Sequence, residues 1–151
     1  MRIFLLSIVF LIFVFFAITV YLRYYYRFII FRDMVYICKY LKNNITFNKD
    51  TIEELLVSIG TKISGVTKTL IHNYDSNKSP YISNEDYLDI VRFIGSLGKG
   101  DVSFEVNNIT YYEKEFEDKK VAHKERLNKD GKMYLKLLIG IGLAVCIILV
   151  W

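Results

Sequence analysis

The amino-acid sequence predicts an all-α membrane protein in which two transmembrane helices flank a cytoplasmic bundle of about four helices. Apolar runs lie near both ends of the 151 residues, and apolar residues between them recur at helical spacing. Helix breakers are also scarce, since the chain has one proline and no glycine before Gly60. We divide the chain into an N-terminal transmembrane helix at 1–22, a helical bundle at 23–132 and a C-terminal transmembrane helix at 133–151. The first and last helices of the bundle are expected to be continuous with the membrane spans.

The first apolar run, Ile3 to Leu22, is predicted to be a retained transmembrane helix. At about 1.5 Å per residue it would span about 30 Å, the thickness of the hydrocarbon core of a bilayer. A secretory signal has a shorter apolar core that ends in small residues, whereas this run continues into an aromatic and basic stretch at 24–27. The other alternative, a core helix of a soluble protein, is disfavoured because such helices rarely run this long without a charge.

The second apolar run covers 137–151 and is predicted to cross the membrane together with the residues just before it. As a helix, 133–151 would reach about 28 Å, and Lys136 can extend its ammonium group towards the headgroups. Gly140 and Ala144 lie four residues apart, a spacing that lets another helix approach closely in a membrane. We therefore predict that Gly140 and Ala144 pack against a helix inside the membrane.

Positive charge is concentrated beside the two apolar runs. The net charge of the chain is +4, but 23–49 has six basic residues and one acid, a net of +5, and 120–136 has six basic and two acidic residues, a net of +4. The positive-inside rule then predicts a cytoplasmic body with both termini outside. Each juxtamembrane Lys or Arg favours anionic lipid by about 1 kcal/mol, so membrane lipids are expected partners. The tyrosines at 24–26 fit an interfacial belt better than a base-stacking platform, so no nucleic-acid partner is expected.

The first two helices of the bundle are predicted from periodicity and capping signals. Apolar residues recur at helical spacing after the first span, which is therefore expected to continue as one helix to about Asn44. Thr51 and Glu54 have the spacing of a capping box, which predicts that a second helix starts near Thr51. Its apolar stripe continues past Gly60 and Gly65, which are expected to mark close packing or a local kink.

A polar segment at 73–81, which contains the one proline, is predicted to be the main exposed loop. Ser83 opens a second capping signature, and the apolar stripe that follows it predicts a third helix. Gly98 is expected to end that helix in a left-handed conformation, and Asp101 is expected to cap the next one. The stretch 98–101 is thus predicted to be a corner between two helices.

The fourth helix is predicted to start at Val102 and becomes highly charged between 113 and 132. Opposite charges four residues apart, such as Glu115 and Lys119, would stabilise a helix that projects beyond the bundle. Gly131 is expected to kink the chain before the second apolar run. The acids of this helix at 113, 115, 117 and 118 are interpreted as a solvated face.

No pattern of catalytic, cofactor-binding or metal-ligating residues emerges from the sequence. His72 and His123 lack the neighbours of a zinc motif. Cys38 and Cys146 are far apart, the second inside an apolar run, so no disulfide is expected. The glycines at 95–100 lack the spacing of a phosphate-binding P-loop and follow a predicted helix instead of a strand. We therefore expect a non-enzymatic protein with no cofactor and no bound metal.

The segment Leu97-Gly-Lys-Gly-Asp101 and the helices around it resemble stage III sporulation protein AB of endospore-forming bacteria. The order of parts is similar over essentially the whole length: an N-terminal span, a cytoplasmic helical body, a Leu-Gly-x-[Ser/Gly]-Asp corner before a long charged helix, and a short glycine-containing C-terminal span. Ile52-Glu-Glu-Leu-Leu56 is also similar to a motif of that family. Two departures are Asn43-Asn44-Ile45, where an acidic Glu-x-Glu-Ile pattern is usual, and Gly100, where Ser is common.

The resemblance implies a platform or scaffold subunit of the complex that joins mother cell and forespore, located in the mother-cell membrane that faces the forespore. The implied partners are other stage III sporulation proteins, among them a secretion-type ATPase, in an assembly with a membrane ring that several copies of the chain would form. The implied fold is that of the cytoplasmic domains of type II secretion and type IV pilus platform proteins. On this hypothesis Gly98, Lys99, Gly100 and Asp101 form the partner-binding surface.

Two other hypotheses stay open at the level of sequence. The chain would serve as a membrane-anchored binding or sensing module if its basic juxtamembrane segment binds anionic lipid and its bundle binds a small ligand or response partner. A membrane-bound enzyme would need an activity that depends on His72 or His123. Neighbouring genes for a secretion-type ATPase and small membrane proteins would favour the sporulation subunit.

Overall fold

A computed structural model describes residues 2–47, 52–72 and 81–150, and the secondary structure of these ranges is helical without a strand. This confirms the predicted fold class. The helices are α1 (Arg2–Phe47), α2 (Ile52–Ile59), α3 (Gly65–His72), α4 (Asn84–Ser96), α5 (Val102–Arg126), a π-helix (Leu127–Gly131) and α6 (Lys132–Val150). They divide into two compact units, a body formed by Arg27–Ala122 and a terminal unit formed by Met1–Tyr26 with His123–Trp151.

Within the body, α1 is the most deeply buried helix. The predicted apolar stripe on it is confirmed, but burial extends around most of the helix because residues of α2, α3, α4 and α5 all belong to the same core. Its positions in this core are Ile30, Phe31, Met34, Val35, Ile37, Cys38, Leu41 and Ile45. The exposed positions in this part of α1 form a narrow strip at Arg32, Tyr36, Lys39 and Asn43. The helix runs on to Phe47, slightly beyond its predicted end near Asn44.

Aromatic rings hold α4 and α5 against α1. The Phe116 ring lies 5.4 Å from the Phe93 ring and 6.0 Å from the Phe31 ring, measured between centroids, and the Phe93 ring lies 5.1 Å from Tyr112. All three phenylalanines are almost completely buried. Each buried side chain of this size stabilises the fold by about 1.5–3 kcal/mol, and these contacts therefore fix the two helices that meet at the predicted corner.

The predicted second helix is wrong in one respect, because it is two helices. The regular α-helix ends at Ile59 and begins again at Gly65, with turn hydrogen bonds from Gly60 N to Val57 O (3.1 Å) and from Lys62 N to Ile59 O (2.7 Å) between them. Gly60 alone would be tolerated inside a helix at a cost of about 1 kcal/mol. The break is instead stabilised from α1, as described below. The predicted capping residue Thr51 and the loop residues 73–80 lie outside the described residues.

The terminal unit contains the first part of α1, up to Tyr26, and the whole of α6. The helical stretches Leu6–Ile45 and Val102–Leu149 each include a window long and apolar enough to cross a membrane, with mean hydropathies of 2.4 and 2.1. Large apolar side chains in these windows are exposed, including Phe15 and Ile148, whereas Ala17 is fully buried. Apolar side chains that face outward are the expected solution when the surrounding solvent is lipid.

The irregularity predicted at Gly131 is a π-helix, which ends at Gly131 and leads directly into α6. Its last residue packs closely, because a Cβ atom added to Gly131 would lie 3.3 Å from Leu127 Cδ1 and 3.4 Å from Tyr24 Cβ. The Tyr24 ring also stacks on Tyr134 with centroids 6.4 Å apart. Within the terminal unit the π-helix and α6 thus form continuous helical backbone with one widened turn.

Candidate functional site

The corner between α4 and α5 has the backbone conformation that its sequence predicts. Helix α4 ends at Ser96, and Gly98 adopts a φ of 77°, in the left-handed region that favours glycine. Asp101 caps α5, since its Oδ1 accepts a hydrogen bond from Phe104 N at 2.9 Å. The Ser103 hydroxyl donates to both carboxylate oxygens of Asp101, at 3.2 and 3.1 Å. The cap and the glycine turn together fix the direction in which α5 leaves the corner.

Glu105 binds the backbone of the corner through its side chain, a role that sequence reasoning missed. Its side chain is almost fully buried, with a relative exposure of 4%. Its Oε1 accepts hydrogen bonds from Lys99 N at 2.9 Å and from Gly100 N at 3.1 Å, while its Oε2 is buried without a partner among the described residues. A capping box places the acid three residues after the cap, whereas Glu105 comes four residues after Asp101. The sequence feature that could have indicated this role is an acidic residue one helical turn after the capping aspartate.

The predicted partner-binding residues Gly98, Lys99, Gly100 and Asp101 are all exposed and lie together on one turn. Gly100 approaches Phe104 so closely that an added Cβ would lie 2.3 Å from Phe104 Cδ1. A Ser at this position, which the resemblance expects, would therefore require the Phe104 ring to move. Gly100 and the exposed ring of Phe104 are thus one local arrangement, and whether it binds a partner stays a prediction.

A groove lies beside this turn, between the end of α4 and the start of α5. Its volume is about 380 Å³, and its lining side chains and glycine are Arg92, Gly95, Ser96, Lys99 and Phe104. We call this set of residues the corner groove. Ser96 forms part of its wall and is itself held in place, since its hydroxyl donates to Phe93 O at 2.7 Å and accepts from Asn108 Nδ2 at 2.8 Å.

Two lysines tie α5 to the rest of the body. Lys119 lies 3.2 Å from an Asp86 carboxylate oxygen and 3.8 Å from Glu115, and it also hydrogen bonds to Asp89. Burial alone would lower the pKa of Lys119, but the hydrogen bonds to Asp89 and Asp86 outweigh it and raise the pKa above its ordinary value. Lys119 therefore stays charged and joins α4 to α5.

Lys42 of α1 pairs with Glu113 of α5. The interpretation of the acids at 113 and 115 as a solvated face is accordingly wrong, because both are half-buried and each faces a lysine. The predicted pair of Glu115 with Lys119 is confirmed. Glu117 likewise pairs with Lys120 at 2.5 Å. Glu113 therefore joins α5 to α1, whereas Glu115 and Glu117 pair with lysines of α5 itself. Of the four acids, Asp118 is the one that is exposed, as the interpretation expected.

Asp33, the single acid of the basic segment at 23–49, organises the break between α2 and α3. Its Oδ2 accepts from Ser64 N at 2.8 Å and from Thr67 Oγ1 at 2.9 Å, and its Oδ1 accepts from Arg32 Nη2 at 2.8 Å. Burial alone would raise the pKa of Asp33, but the hydrogen bonds from Ser64, Arg32 and Thr67 outweigh it and hold the pKa below its ordinary value. Ser64 in turn caps α3 by accepting from Thr67 N at 3.3 Å.

The residues considered for catalysis or metal binding are scattered. His72 is exposed at the end of α3, His123 is buried, and among the described residues no group of three His, Cys, Asp or Glu side chains is placed to hold a metal ion. Burial raises the pKa of the Cys38 thiol to about 12, and the nearby Glu113 carboxylate adds to the shift, so this thiol is protonated at neutral pH. Of the glycines at 95–100, Gly95 is part of helix α4, and Gly98 and Gly100 follow that helix as predicted.

Of the small residues in α6, Gly142 packs against α1. A Cβ added to Gly142 would lie 2.9 Å from Phe13 Cβ, whereas a Cβ added to Gly140 would meet nothing within 4 Å. Ala144 is exposed. Gly140 and Ala144 therefore face away from α1 in this structure. Their predicted packing against a helix stays a prediction, and it would have to involve a helix other than α1.

Comparison with known proteins connects this geometry to one family. The family model for stage III sporulation protein AB matches residues 72–150, just over half of the chain. The matched part includes α4, the corner with its groove, α5 and α6. No curated protein and no solved structure matches the chain significantly.

Proposed function

Because the chain belongs to the stage III sporulation protein AB family, which implies involvement in sporulation, we propose that it is a platform subunit of the assembly joining mother cell and forespore. In this proposal it lies in the mother-cell membrane that faces the forespore and works with other stage III sporulation proteins. It has no catalytic activity of its own. The observation that carries the proposal is the family match, which covers the corner and the apolar helix α6 together.

The membrane arrangement in this proposal is a hairpin with the body in the cytoplasm and both termini outside. Two helical stretches long and apolar enough to cross a membrane support it. Segments of net positive charge lie beside both apolar helices, and basic residues next to a span favour the cytoplasmic side. In several copies the chain would contribute to a ring, with the uncovered faces of α6 available to neighbouring helices.

The docking partner in this proposal is the secretion-type ATPase of the same assembly, and the docking surface is the turn Gly98 to Asp101. Support comes from the way in which this turn is held. Its backbone N–H groups are bound by Glu105, its far end is capped by Asp101, and its residues are exposed. A surface that is already rigid loses little conformational entropy when a partner binds.

A deletion strain and a matched pair of glycine variants test the proposal. Loss of the gene should block forespore development, and normal spores from the deletion strain would contradict the proposal.

Gly98→Ala should strain the left-handed backbone by about 1–2 kcal/mol and reduce co-purification of the ATPase with the full-length protein. Gly65→Ala, at a helix start with open space around it, should change neither. Equal co-purification by both variants would remove the turn from the docking surface.

A membrane-anchored binding or sensing module is the second candidate, and one observation favours it. A groove of about 420 Å³ lies between α2 and α3, and Val57, which is 79% exposed, lines it together with Ile59, Ile63, Ile71 and His72. An apolar groove of this volume falls within the size range of small-molecule sites. A deletion strain that sporulates normally but loses response to a small molecule would favour this function over the platform role.

A further inference from the structure

The corner groove carries a charge pattern that the turn alone does not explain. Two cationic side chains, Arg92 and Lys99, line it, and among the described residues no acid does. Arg92 contacts Asp89 through one nitrogen at 3.2 Å, yet its side chain remains 68% exposed. Within the part of the chain that the structure describes, the Lys99 ammonium has no acidic partner. Both cations are therefore able to accept a further anionic group.

The same groove also has an apolar side and open space. Phe104 lines it and is 54% exposed, so its ring is accessible to an incoming apolar side chain. A Cβ atom added to Gly95 would meet nothing within 4 Å, so nothing from the described residues fills the groove at that point. A side chain from outside can therefore enter between the ring and the two cations.

The groove is preorganised, because parts of its wall are fixed by hydrogen bonds within the body. Lys99 N is bound by the buried Glu105, and Ser96 is fixed by Asn108 and by the Phe93 carbonyl. The backbone that carries Lys99 thus has a defined position, although its side chain reaches outward. Such preorganisation lowers the entropic cost of binding, and the guanidinium group of Arg92 has donors left for a carboxylate.

We propose that the corner groove receives a carboxylate side chain, flanked by an apolar residue, from an acidic segment of the protein partner. The carboxylate binds between Arg92 and Lys99, and the apolar neighbour packs on Phe104. This proposal rests on the proposed function, because it names the chemistry of the partner at the same corner. It goes beyond that function by assigning recognition to Lys99 within the turn and to Arg92 and Phe104 beside it.

Filling the groove is the first test. In Gly95→Leu the new side chain would occupy open space in the groove, near the C-terminal end of α4, without changing any charge. Full-length protein in lipid nanodiscs should then bind the purified ATPase at least about tenfold more weakly, while its melting temperature stays the same or rises. Gly65→Leu is the matched control, because Gly65 has equally open surroundings outside the groove. Unchanged ATPase affinity of Gly95→Leu would overturn the proposal.

Charge reversal is the second test. Lys99→Glu should weaken binding about tenfold or more at low salt, and less at high salt. Lys114→Glu changes the same charge at an exposed position of α5 and should leave binding unaffected. Equal losses in both variants would show that only the net charge matters. A partner variant with Lys in place of the bound acid should restore the affinity of Lys99→Glu.

The bound segment is identified with a photocrosslinking residue at position 104 in sporulating cells. A crosslinked peptide of the ATPase that contains Asp or Glu supports the proposal, whereas a crosslinked lipid or a peptide without acids overturns it.

The groove proposal and the proposed function are contradicted by different results. If the wild-type protein binds the ATPase and Gly95→Leu and Lys99→Glu bind it equally well, the groove proposal alone falls. If the wild-type protein does not bind it and the deletion strain sporulates, both fall.

Discussion

Two of the helix breaks in the described part of the body are stabilised in opposite ways. The corner at 98–101 is held by residues of its own neighbourhood, since Gly98, Asp101 and Glu105 lie within eight positions of each other. The break at 60–64 is held by Asp33, which is 31 residues away from Ser64 and lies on α1. The corner is therefore stabilised by contacts between residues close together in sequence. The break at 60–64 depends instead on a tertiary contact with α1.

This difference indicates which break is able to serve as a docking surface. At the corner, Glu105 and Asp101 bind the backbone N–H groups of Lys99, Gly100 and Phe104, so this backbone is held from within the same stretch of chain. The exposed side chains of the corner are therefore available to a partner. At the other break, the polar groups of Ser64 and Thr67 are committed to a buried carboxylate. Damage to the corner should therefore affect binding more than stability, and damage to the break should affect stability more than binding.

The largest effect is expected from Asp33→Ala. Removing this carboxylate takes the acceptor from the part-buried Ser64 N–H and leaves the buried Thr67 hydroxyl with Ser64 Oγ alone, which should cost about 3 kcal/mol of unfolding free energy. Hydrogen exchange of the full-length protein in detergent micelles should show faster exchange throughout α3. Asp118→Ala removes an exposed acid of α5 and should change stability by less than about 0.5 kcal/mol. Unchanged α3 protection in Asp33→Ala would show that the break does not depend on α1.

A smaller loss, about 2 kcal/mol, is expected from Glu105→Ala, because two backbone N–H groups lose one shared acceptor. The loss is limited because Glu105 Oε2 has no partner among the described residues, so the buried charge is incompletely compensated. Exchange should accelerate at Lys99 and Gly100 while α3 stays protected. Glu105→Gln keeps an acceptor oxygen without the charge and should be near neutral. A large loss in Glu105→Gln would mean that the charge itself stabilises the corner.

The effect of Asp101→Ala should be smaller again, about 1 kcal/mol, which is the usual contribution of an N-cap. The Phe104 N–H loses its acceptor, and the first turn of α5 should exchange faster. Asp101→Asn retains a capping oxygen and is the matched control. If the turn is the docking surface, Asp101→Ala should also weaken ATPase binding by more than its small stability loss explains. Binding that follows stability alone would argue against a direct contact by Asp101.

The corner was predictable because its signals are local. A glycine four residues after the last apolar position of α4, followed by an aspartate, is sufficient to predict a turn and a cap, and both are confirmed. Glu105 was missed because it lies one position later than a capping box requires. The α2–α3 break was missed because the apolar stripe continues through it, and no local pattern reveals a carboxylate 31 residues earlier in the chain. Ser64, with Thr67 three residues later, was the one local indication.

Helix packing faces were less predictable than helix positions. Periodicity located α1 correctly, but it could not show that four other helices would contribute to one core around it. In α6 the spacing of Gly140 and Ala144 suggested a packing face, whereas the close approach to α1 occurs at Gly142, on the other side of the helix. Small residues at suitable spacing exist on both faces, and the sequence does not indicate which face meets which helix.

The smallest effect is expected when the pH is lowered without any substitution. Protonation removes the charge of Asp33 but keeps the shape of its side chain. Burial alone would raise the pKa of Asp33, but its hydrogen bonds hold the pKa below its ordinary value. A carboxylate with a lowered folded-state pKa contributes stability that is complete above its unfolded pKa and is lost as the pH falls through its folded pKa. Protection of the α3 amides should therefore be constant down to about pH 4 and fall below it. Protonation keeps the side chain in place, so the loss should be smaller than in Asp33→Ala. Asp33→Asn should lack this pH-dependent component. An equal acid-induced fall in both proteins would mean that other carboxylates control the stability of the break.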